Sequence, residues 1–547
     1  MNSIRSNRLD QIAQILYLIF VVFFAIALAR NHINMISHEL PLDYQEASML
    51  EITSTIADGE NPFALESQPV HISLYPVLYN IVVAPISNAL GNTLWLHRLV
   101  SGIFIIATCA LCYSLCRKAS ARRTDSLAAA IILYAGLLYY STPIASPNSL
   151  GLFLFLSATC IPWLFRFSSR SLAVSLALGI LAFYTKQYFL MSLGYVALFL
   201  FLADSKKRGI YFGFLSLLTL LVSLTIVHYT SPYYLDSTLF AVASSSKFVL
   251  SNKAATQQFS EYFTIYYPIF AILVLAAYPK YRAASAIRTH QGSNSPSNKL
   301  VNWFDWNRPL FSKKVGFIWL CCLCSISINA FVLARNPGNY LTYLFQLISP
   351  FLLIGTFGFA SAITKRRWII SALACLAMYN SYSVLPTDFS VNEKNWDIVR
   401  SEIAAADNIY ASTLVLRETL DKGGPIYHNG HTPYFLWAKH KPAFFVKSVH
   451  EETVPQIWQR HRERLNNKLK NQSIDLLLID NWMQLPPSDD ASDIDLQKTL
   501  ETYYEQTDTL GLRLMDRRGG GRFSLKIYKP RDKTPDSSGM PNPAEPG

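Results

Sequence analysis

Charged residues are scarce in this chain: only 15% of its 547 residues are Asp, Glu, Lys or Arg, whereas 51% are hydrophobic. Soluble domains carry about a quarter charged residues. The composition therefore excludes a disordered chain and a small disulfide scaffold, and it favours a polytopic membrane protein with a smaller polar part.

Two further absences narrow the class. The polar part after Leu385 contains no cysteine, so a disulfide framework is excluded there. All eight cysteines lie in apolar segments, at positions 109, 112, 116, 160, 321, 322, 324 and 375. The group Cys321-Cys322-x-Cys324 has no His or carboxylate partner nearby, so it is interpreted as small apolar residues of a helix and not as a metal site. The chain also lacks a Walker motif, a Gly-x-Gly-x-x-Gly loop and a Gly-x-Ser-x-Gly elbow, which argues against a nucleotide-driven pump.

Apolar segments of nearly bilayer-spanning length recur up to Leu385 and then stop. They predict eleven membrane-spanning helices: Gln11–Ala29, Leu94–Cys116, Ser126–Tyr140, Leu150–Phe167, Ser171–Tyr184, Tyr188–Leu202, Ile210–Val227, Phe263–Ala277, Val315–Ala334, Leu341–Ala360 and Trp368–Val384. One set of connections carries 21 Lys and Arg, and the alternate set carries 6. By the positive-inside rule, the N-terminus is cytoplasmic and everything after Leu385 is periplasmic. The net charge of +12 thus needs no nucleic-acid partner.

The first outer loop, residues 31–93, has seven carboxylates and no Lys or Arg. Asp43 and Glu46 come just before a helical pattern that Gly59 ends. Two carboxylates in this position can supply a general base or hold a divalent cation. Both a divalent metal cofactor and metal-free chemistry fit this pattern. The same spacing is equally typical of a helix capping box. Glu51, Asp58, Glu60 and Glu66 are interpreted as solvated loop charges.

Isolated outward cations are the second group of candidates. Lys186 lies in a turn between two apolar segments, where a cation suits an anionic lipid headgroup or snorkels in an aromatic belt. Arg335 precedes Asn339 and Tyr340 at the start of another outward helix, where a guanidinium can clamp phosphate or simply sit at the interface.

The end of the first loop supplies further candidates for a substrate groove. Tyr75 and Tyr79 can line it, although Tyr is common at membrane interfaces. Arg98 begins the second span, either as an interfacial cation or as a partner of a loop carboxylate. Asn148 is interpreted as a turn residue after Pro147.

After Leu385, helical stretches alternate with short strand-like runs, which favours a small α/β domain. The predicted helices are Asn395–Leu420 and Val454–Leu469, and the predicted strands are Pro425–His428, Ile474–Asp480, Leu510–Met515 and Phe523–Tyr528. The predicted divisions are 1–385 for the membrane domain, 386–528 for the α/β domain and 529–547 for a disordered tail.

Several landmarks occur in a fixed order on the outward side: Asp43-Tyr-Gln-Glu46, Gly59, Tyr75-Pro76-x-x-Tyr79, Gly91, Arg98-Leu-Val-Ser101, Thr185-Lys186-Gln187 and Gly338-Asn339-Tyr340. From Gln11 to Ala360 this order resembles the GT-C superfamily of membrane glycosyltransferases, in particular bacterial family-39-like enzymes related to protein O-mannosyltransferases and aminoarabinose transferases. Relatives often carry Asp where this chain has Asn148.

The resemblance implies a GT-C-like helical bundle of the bacterial inner membrane with a periplasmic α/β domain. It implies a polyprenyl-phosphate sugar donor and a lipid, glycan or protein acceptor. Asp43 is then the base with Glu46 in support, and Lys186 and Arg335 neutralise the lipid phosphate. A transporter or flippase of lipid-linked saccharide is the alternative, and the C-terminal domain can also be a partner-binding module.

Overall fold

The computed structural model describes residues 2–43, 45–68, 70–71, 73–240, 251–290, 313–336, 340–361, 367–386, 393–420, 422–423, 426–427, 453–481, 485, 494–514 and 522–532. Helices dominate up to Leu385: α1 (Asn2–Ser37), α2 (Glu46–Ala57), α3 (Leu78–Leu90), α4 (Leu94–Lys118), α5 (Arg123–Leu137), α6 (Asn148–Leu164), α7 (Ser169–Phe183), α8 (Met191–Phe199), α9 (Lys206–Thr230), α10 (Asn252–His290), α11 (Lys313–Phe331), α12 (Ser349–Ala360) and α13 (Arg367–Ser383). Each of the eleven predicted apolar segments overlaps one of these helices, so the mainly helical fold class is confirmed.

Within the described residues, six helical stretches are long and apolar enough to cross a membrane: Gln11–Ser37, Leu94–Lys118, Gln187–Asp204, Lys206–Thr230, Asn252–Ala276 and Gly316–Arg335. Four more are apolar but shorter. Two of these stretches are mostly exposed: only 22% of the most apolar 18 residues of α1 and 11% of those of α9 are buried, although the exposed side chains are mainly Ile, Leu, Val and Phe. Such surfaces are unfavourable in water and stable against lipid.

The first outer loop contains two helices. As predicted, α2 follows Asp43, and Gly59 continues the chain with a left-handed φ of +81° that a glycine adopts without strain. Helix α3 was not anticipated from the sequence; it begins directly after the Tyr75-Pro76 landmark. Asn80 of α3 donates hydrogen bonds to the carbonyl of Met49 and the hydroxyl of Thr53, and so joins the two helices.

The C-terminal part forms a four-stranded sheet of order β1-β2-β4-β3. Its elements are α14 (Glu393–Ala405), β1 (Ile409–Ala411), α15 (Leu416–Leu420), α16 (Thr453–Lys470), β2 (Leu476–Asp480), α17 (Leu496–Tyr503), β3 (Tyr504–Arg513) and β4 (Arg522–Pro530). Strands β1 and β2 are parallel, and the other two pairs are antiparallel. The predicted mixture of helices and strands is confirmed, while the division of the chain at Leu385 stays a prediction.

Three local predictions in this part are wrong. The single helix Asn395–Leu420 is interrupted, because residues 409–411 pair with residues 476–478 and that pairing outweighs the helical pattern. The described residues of the predicted strand at 425–428, Ile426 and Tyr427, are irregular. The tail predicted from Lys529 does not begin there, because Lys529 and Pro530 still pair with β3.

Candidate active site

Asp43 forms the turn that leads into α2. Its Oδ1 accepts a hydrogen bond from the backbone N–H of Gln45 at 2.9 Å, and its side chain is largely buried. The helix cap is Gln45, which makes no side-chain capping bond, so the predicted capping box is only half formed: the Glu46 carboxylate accepts from the N–H of Asp43 at 3.4 Å. Asp43 therefore stabilises the turn that precedes α2, and its carboxylate lies near the N-terminal end of that helix.

Glu46 is engaged in a buried ion pair with Arg98. The Nε and Nη2 atoms of Arg98 lie 2.8 and 2.7 Å from the two carboxylate oxygens, and both side chains are fully buried. Backbone N–H groups of Leu42 and Ala145 also donate to this carboxylate, at 2.7 and 3.0 Å. Burial alone would raise the pKa of Glu46, but the Arg98 guanidinium and these hydrogen bonds hold it below its usual value.

Arg98 does not have the substrate contact expected from the sequence. Its remaining donors bind the backbone carbonyls of Met35, His38 and Leu40, at the end of α1 and just beyond it. All of these contacts are internal, so the alternative interpretation, a structural partner for a loop carboxylate, describes Arg98. Because Glu46 is already saturated, Asp43 and Glu46 are not arranged as a pair of metal ligands.

Lys186 lies between α7 and a short 3-10 helix, Gln187–Leu190. Its Nζ donates to Oδ1 of Asn148 at 2.8 Å and lies 4.6, 5.2 and 5.5 Å from the ring centroids of Tyr75, Tyr343 and Tyr188. In the part of the chain that the structure describes, no carboxylate forms an ion pair with it. Burial lowers the pKa of Lys186 to about 7. The arrangement is a buried cation held by neutral groups, with its charge available for an anion.

Tyr75 connects Lys186 with the turn of Asp43. The ring of Tyr75 lies against the Lys186 ammonium, and its hydroxyl donates to Oε1 of Gln45 at 3.3 Å. Gln45 in turn bonds to Asp43. Through this chain of contacts the structure brings together three of the predicted residues, Asp43, Tyr75 and Lys186, which are far apart in the sequence.

The other predicted residues are placed differently. Tyr79 is fully buried, with its hydroxyl bonded to the carbonyl of His97 at 3.0 Å, so it packs α3 on α4 instead of lining a groove. Arg335 donates to the carbonyl of Phe331, and no described contact joins it to Lys186. Tyr340 packs on Tyr140, which directly precedes the turn that leads to Asn148. Asn339 lies outside the described residues.

Sequence reasoning missed four contributors to this arrangement. Gln45, Tyr188 and Tyr343 were not selected, and Asn148 was assigned only a turn role. Asn148 has that role, since its Nδ2 binds the Ser141 carbonyl at 2.8 Å, but it also holds Lys186. Tyr188 was detectable as an aromatic two residues from the buried lysine; Tyr343 was not, because only folding brings it near.

Glu51 is another carboxylate whose interpretation as solvated is wrong. It is buried and hydrogen-bonded to Nδ1 of His71, a residue 20 positions away. Burial by itself would lower the pKa of His71, but the hydrogen bond and charge of Glu51, together with the charge of Glu60, raise it above its usual value. Among the described residues, no group of three His, Cys, Asp or Glu side chains is placed to hold a metal ion.

The Glu51–His71 pair predicts a pH-dependent stability. Because the folded-state pKa of His71 is raised, the stabilisation is present below the unfolded pKa of about 6.5 and is lost as the pH rises through the folded value. We expect Glu51→Gln to destabilise the chain by roughly 1–3 kcal/mol at pH 5.5 and by much less at pH 9. Thermal unfolding of the full chain at both pH values checks this. Equal losses at both would contradict it, and Glu66→Gln, an exposed carboxylate of the same loop, is the control.

Of the comparisons with known proteins, only the comparison with solved structures gives matches. No protein-family model matches the chain, and no curated protein matches it. Among solved structures, the chain is similar to ArnT, an aminoarabinose transferase, from Cupriavidus metallidurans in the apo state, with 11% identity, a TM-score of 0.44, and coverage of 94% of this chain and 98% of that one. The same protein bound to undecaprenyl phosphate gives 11% identity, a TM-score of 0.41 and coverage of 93% and 97%.

Proposed function

We propose that this protein is a membrane glycosyltransferase that transfers a sugar from a polyprenyl-phosphate donor to an acceptor hydroxyl on the periplasmic face of the bacterial inner membrane. The observation that carries the proposal is the chain of contacts that links Asp43 to Lys186 through Gln45 and Tyr75. A base and a buried cation are the two groups that such a transfer needs, and the order of sequence landmarks resembles GT-C enzymes.

Lys186 is proposed to bind the donor phosphate. A buried ammonium without a carboxylate partner is unfavourable, and an anion that enters beside it recovers the lost electrostatic energy. Asn148 contributes a neutral acceptor, so it orients Lys186 without cancelling its charge. The rings of Tyr75, Tyr188 and Tyr343 exclude water around the ammonium, which strengthens its attraction for a phosphate.

Asp43 is proposed to act as the general base. It accepts the proton of the acceptor hydroxyl while that oxygen attacks the anomeric carbon. The bond from the anomeric carbon to the phosphate oxygen breaks, and the electron pair leaves with the lipid phosphate, whose charge Lys186 stabilises. A single displacement of this kind inverts the anomeric centre.

A transfer assay tests the proposal. The purified full chain in lipid nanodiscs is incubated with a panel of radiolabelled undecaprenyl-phosphate sugars and with bacterial envelope lipids, glycans and peptides as acceptors. Label that moves to an acceptor supports the proposal. Label that stays on the donor but crosses the bilayer of proteoliposomes contradicts it and favours the flippase alternative.

The lowered pKa of Lys186 predicts that donor binding weakens with rising pH. The ammonium loses its proton above about pH 7, so the dissociation constant should rise between pH 6 and 9, approaching about tenfold per pH unit. A polyprenyl phosphodiester is the probe, because its single negative charge does not titrate in this range. Its dissociation constant is measured at each pH by the change in protein fluorescence.

Lys186→Arg is the matched variant for this experiment, since a guanidinium stays charged across the whole range. Its dissociation constant should therefore vary little with pH. The same steep dependence in wild type and variant would assign the titration to another group.

A further inference from the structure

We infer that Glu46 and Arg98 are positioning residues: this buried pair sets the geometry of Asp43 and, through Ala145, of the turn that carries Asn148. The inference rests on the proposed transferase function, in which Asp43 and Lys186 are the reacting and binding groups. It moves Glu46 from a catalytic role to one that acts through its neighbours.

The pair first fixes the chain that enters Asp43. The Glu46 carboxylate accepts from the N–H groups of Leu42 and Asp43, and Arg98 binds the carbonyls of His38 and Leu40. Backbone N–H and carbonyl groups before and after Leu42 are thus hydrogen-bonded to one ion pair. The backbone position of Asp43 follows from these bonds, because Asp43 lies three residues before Glu46 in the same turn.

The pair also contacts the turn that precedes Asn148. The N–H of Ala145 donates to Oε1 of Glu46 at 3.0 Å, across 99 residues of sequence. Ala145 belongs to the turn that ends at Asn148, and Asn148 binds the carbonyl of Ser141 within that turn and Nζ of Lys186 outside it. One carboxylate therefore holds both the turn of the base and the turn that orients the phosphate-binding lysine.

Neither partner is available for substrate, because both side chains are fully buried and Glu46 accepts five hydrogen bonds. A buried ion pair is also a poor source of stability, since apolar residues often replace one without loss. Here the ion pair matters because it fixes the positions of the reacting groups. A misplacement of reacting groups by about 1 Å can reduce turnover about 100-fold.

The test compares two doubly neutralised variants. Glu46→Gln with Arg98→Gln removes both charges together, because either single change leaves one buried charge unpaired. Asp125→Asn with Arg367→Gln is the matched control, a second buried ion pair between the first turns of α5 and α13. Transfer kinetics and hydrogen–deuterium exchange are measured on the full chain in nanodiscs.

We expect the Glu46/Arg98 variant to lose about 100-fold in kcat. The KM for the lipid donor should rise as well, because the turn that orients Lys186 is released together with the turn of Asp43. Amide exchange should rise together in segments 40–46 and 141–149, although these are distant in sequence. The control variant should keep the wild-type kcat and the wild-type exchange in both segments. Glu46→Asp keeps the charge but shortens the side chain, so an intermediate kcat is expected.

An unchanged kcat with unchanged exchange in both segments overturns the inference. If the doubly neutralised variant does not fold, Glu46→Asp decides: a wild-type kcat in that folded variant overturns the inference, and a reduced one supports it. If wild type transfers no sugar, the proposed function fails. A joint rise of amide exchange in the two segments of the doubly neutralised variant still supports the positioning role. A rise in only one of the two segments overturns it.

Discussion

Replacing Asp43 by Asn is expected to lower the rate of sugar transfer by about 10³- to 10⁴-fold, the upper part of the range for removal of a general base. The amide keeps an Oδ1 atom that accepts the N–H of Gln45, so the turn before α2 should be preserved. What is lost is the capacity to take the proton of the acceptor hydroxyl. Transfer should therefore fall in kcat, with donor binding nearly unchanged.

The measurement is initial-rate transfer in nanodiscs at saturating donor, together with donor binding and thermal unfolding. Glu66→Gln is the control, because Glu66 is an exposed carboxylate of the same loop and should keep full activity. Wild-type transfer by Asp43→Asn would exclude Asp43 as the base. Loss of folding in that variant would instead indicate that the Asp43 contact with Gln45 is structural.

Replacing Lys186 by Met is expected to weaken donor binding by about 100- to 1000-fold, roughly 3–4 kcal/mol, because a buried charge-assisted contact with the phosphate disappears. Met has a similar unbranched shape, so the space between the three tyrosine rings stays filled. The same change should slow transfer at saturating donor, since the leaving phosphate loses its counter-charge.

Binding of undecaprenyl phosphate and the KM for the sugar donor check this expectation. Lys253→Met is the control, because Lys253 is an exposed lysine of the predicted outer side, and the donor affinity of that variant should match wild type. Unchanged donor affinity in Lys186→Met would show that another cation binds the phosphate.

Pattern reasoning succeeded where the evidence is local. The apolar segments are long enough to specify helices regardless of what surrounds them. The strands near residues 476 and 523 were predicted from short strand-like runs in the sequence. It failed at β1, where only pairing with β2 makes residues 409–411 a strand instead of part of a helix.

The candidate site divides in the same way. Asp43, Tyr75 and Lys186 were selected from their residue types and their places in connections predicted to face outward, and in the structure a chain of contacts through Gln45 links them. Their roles stay predictions. Tyr343 was not selected, because nothing near it in the sequence marks it as part of a cation site; it lies beside Lys186 only because the helices pack together.

The sequence by itself determined a helical membrane protein with an acidic loop between its first two apolar segments, and it predicted that a few isolated cations face outward, because length, composition and charge are properties of short stretches of chain. Only the tertiary structure decided which of those charges are paired with an opposite charge. Glu46 is engaged by Arg98, 52 residues away, and Glu51 by His71, 20 residues away, whereas Lys186 meets an amide and three rings. The physical reason is that an ion pair forms within about 4 Å in space, and that proximity is set by helix packing that no local pattern contains.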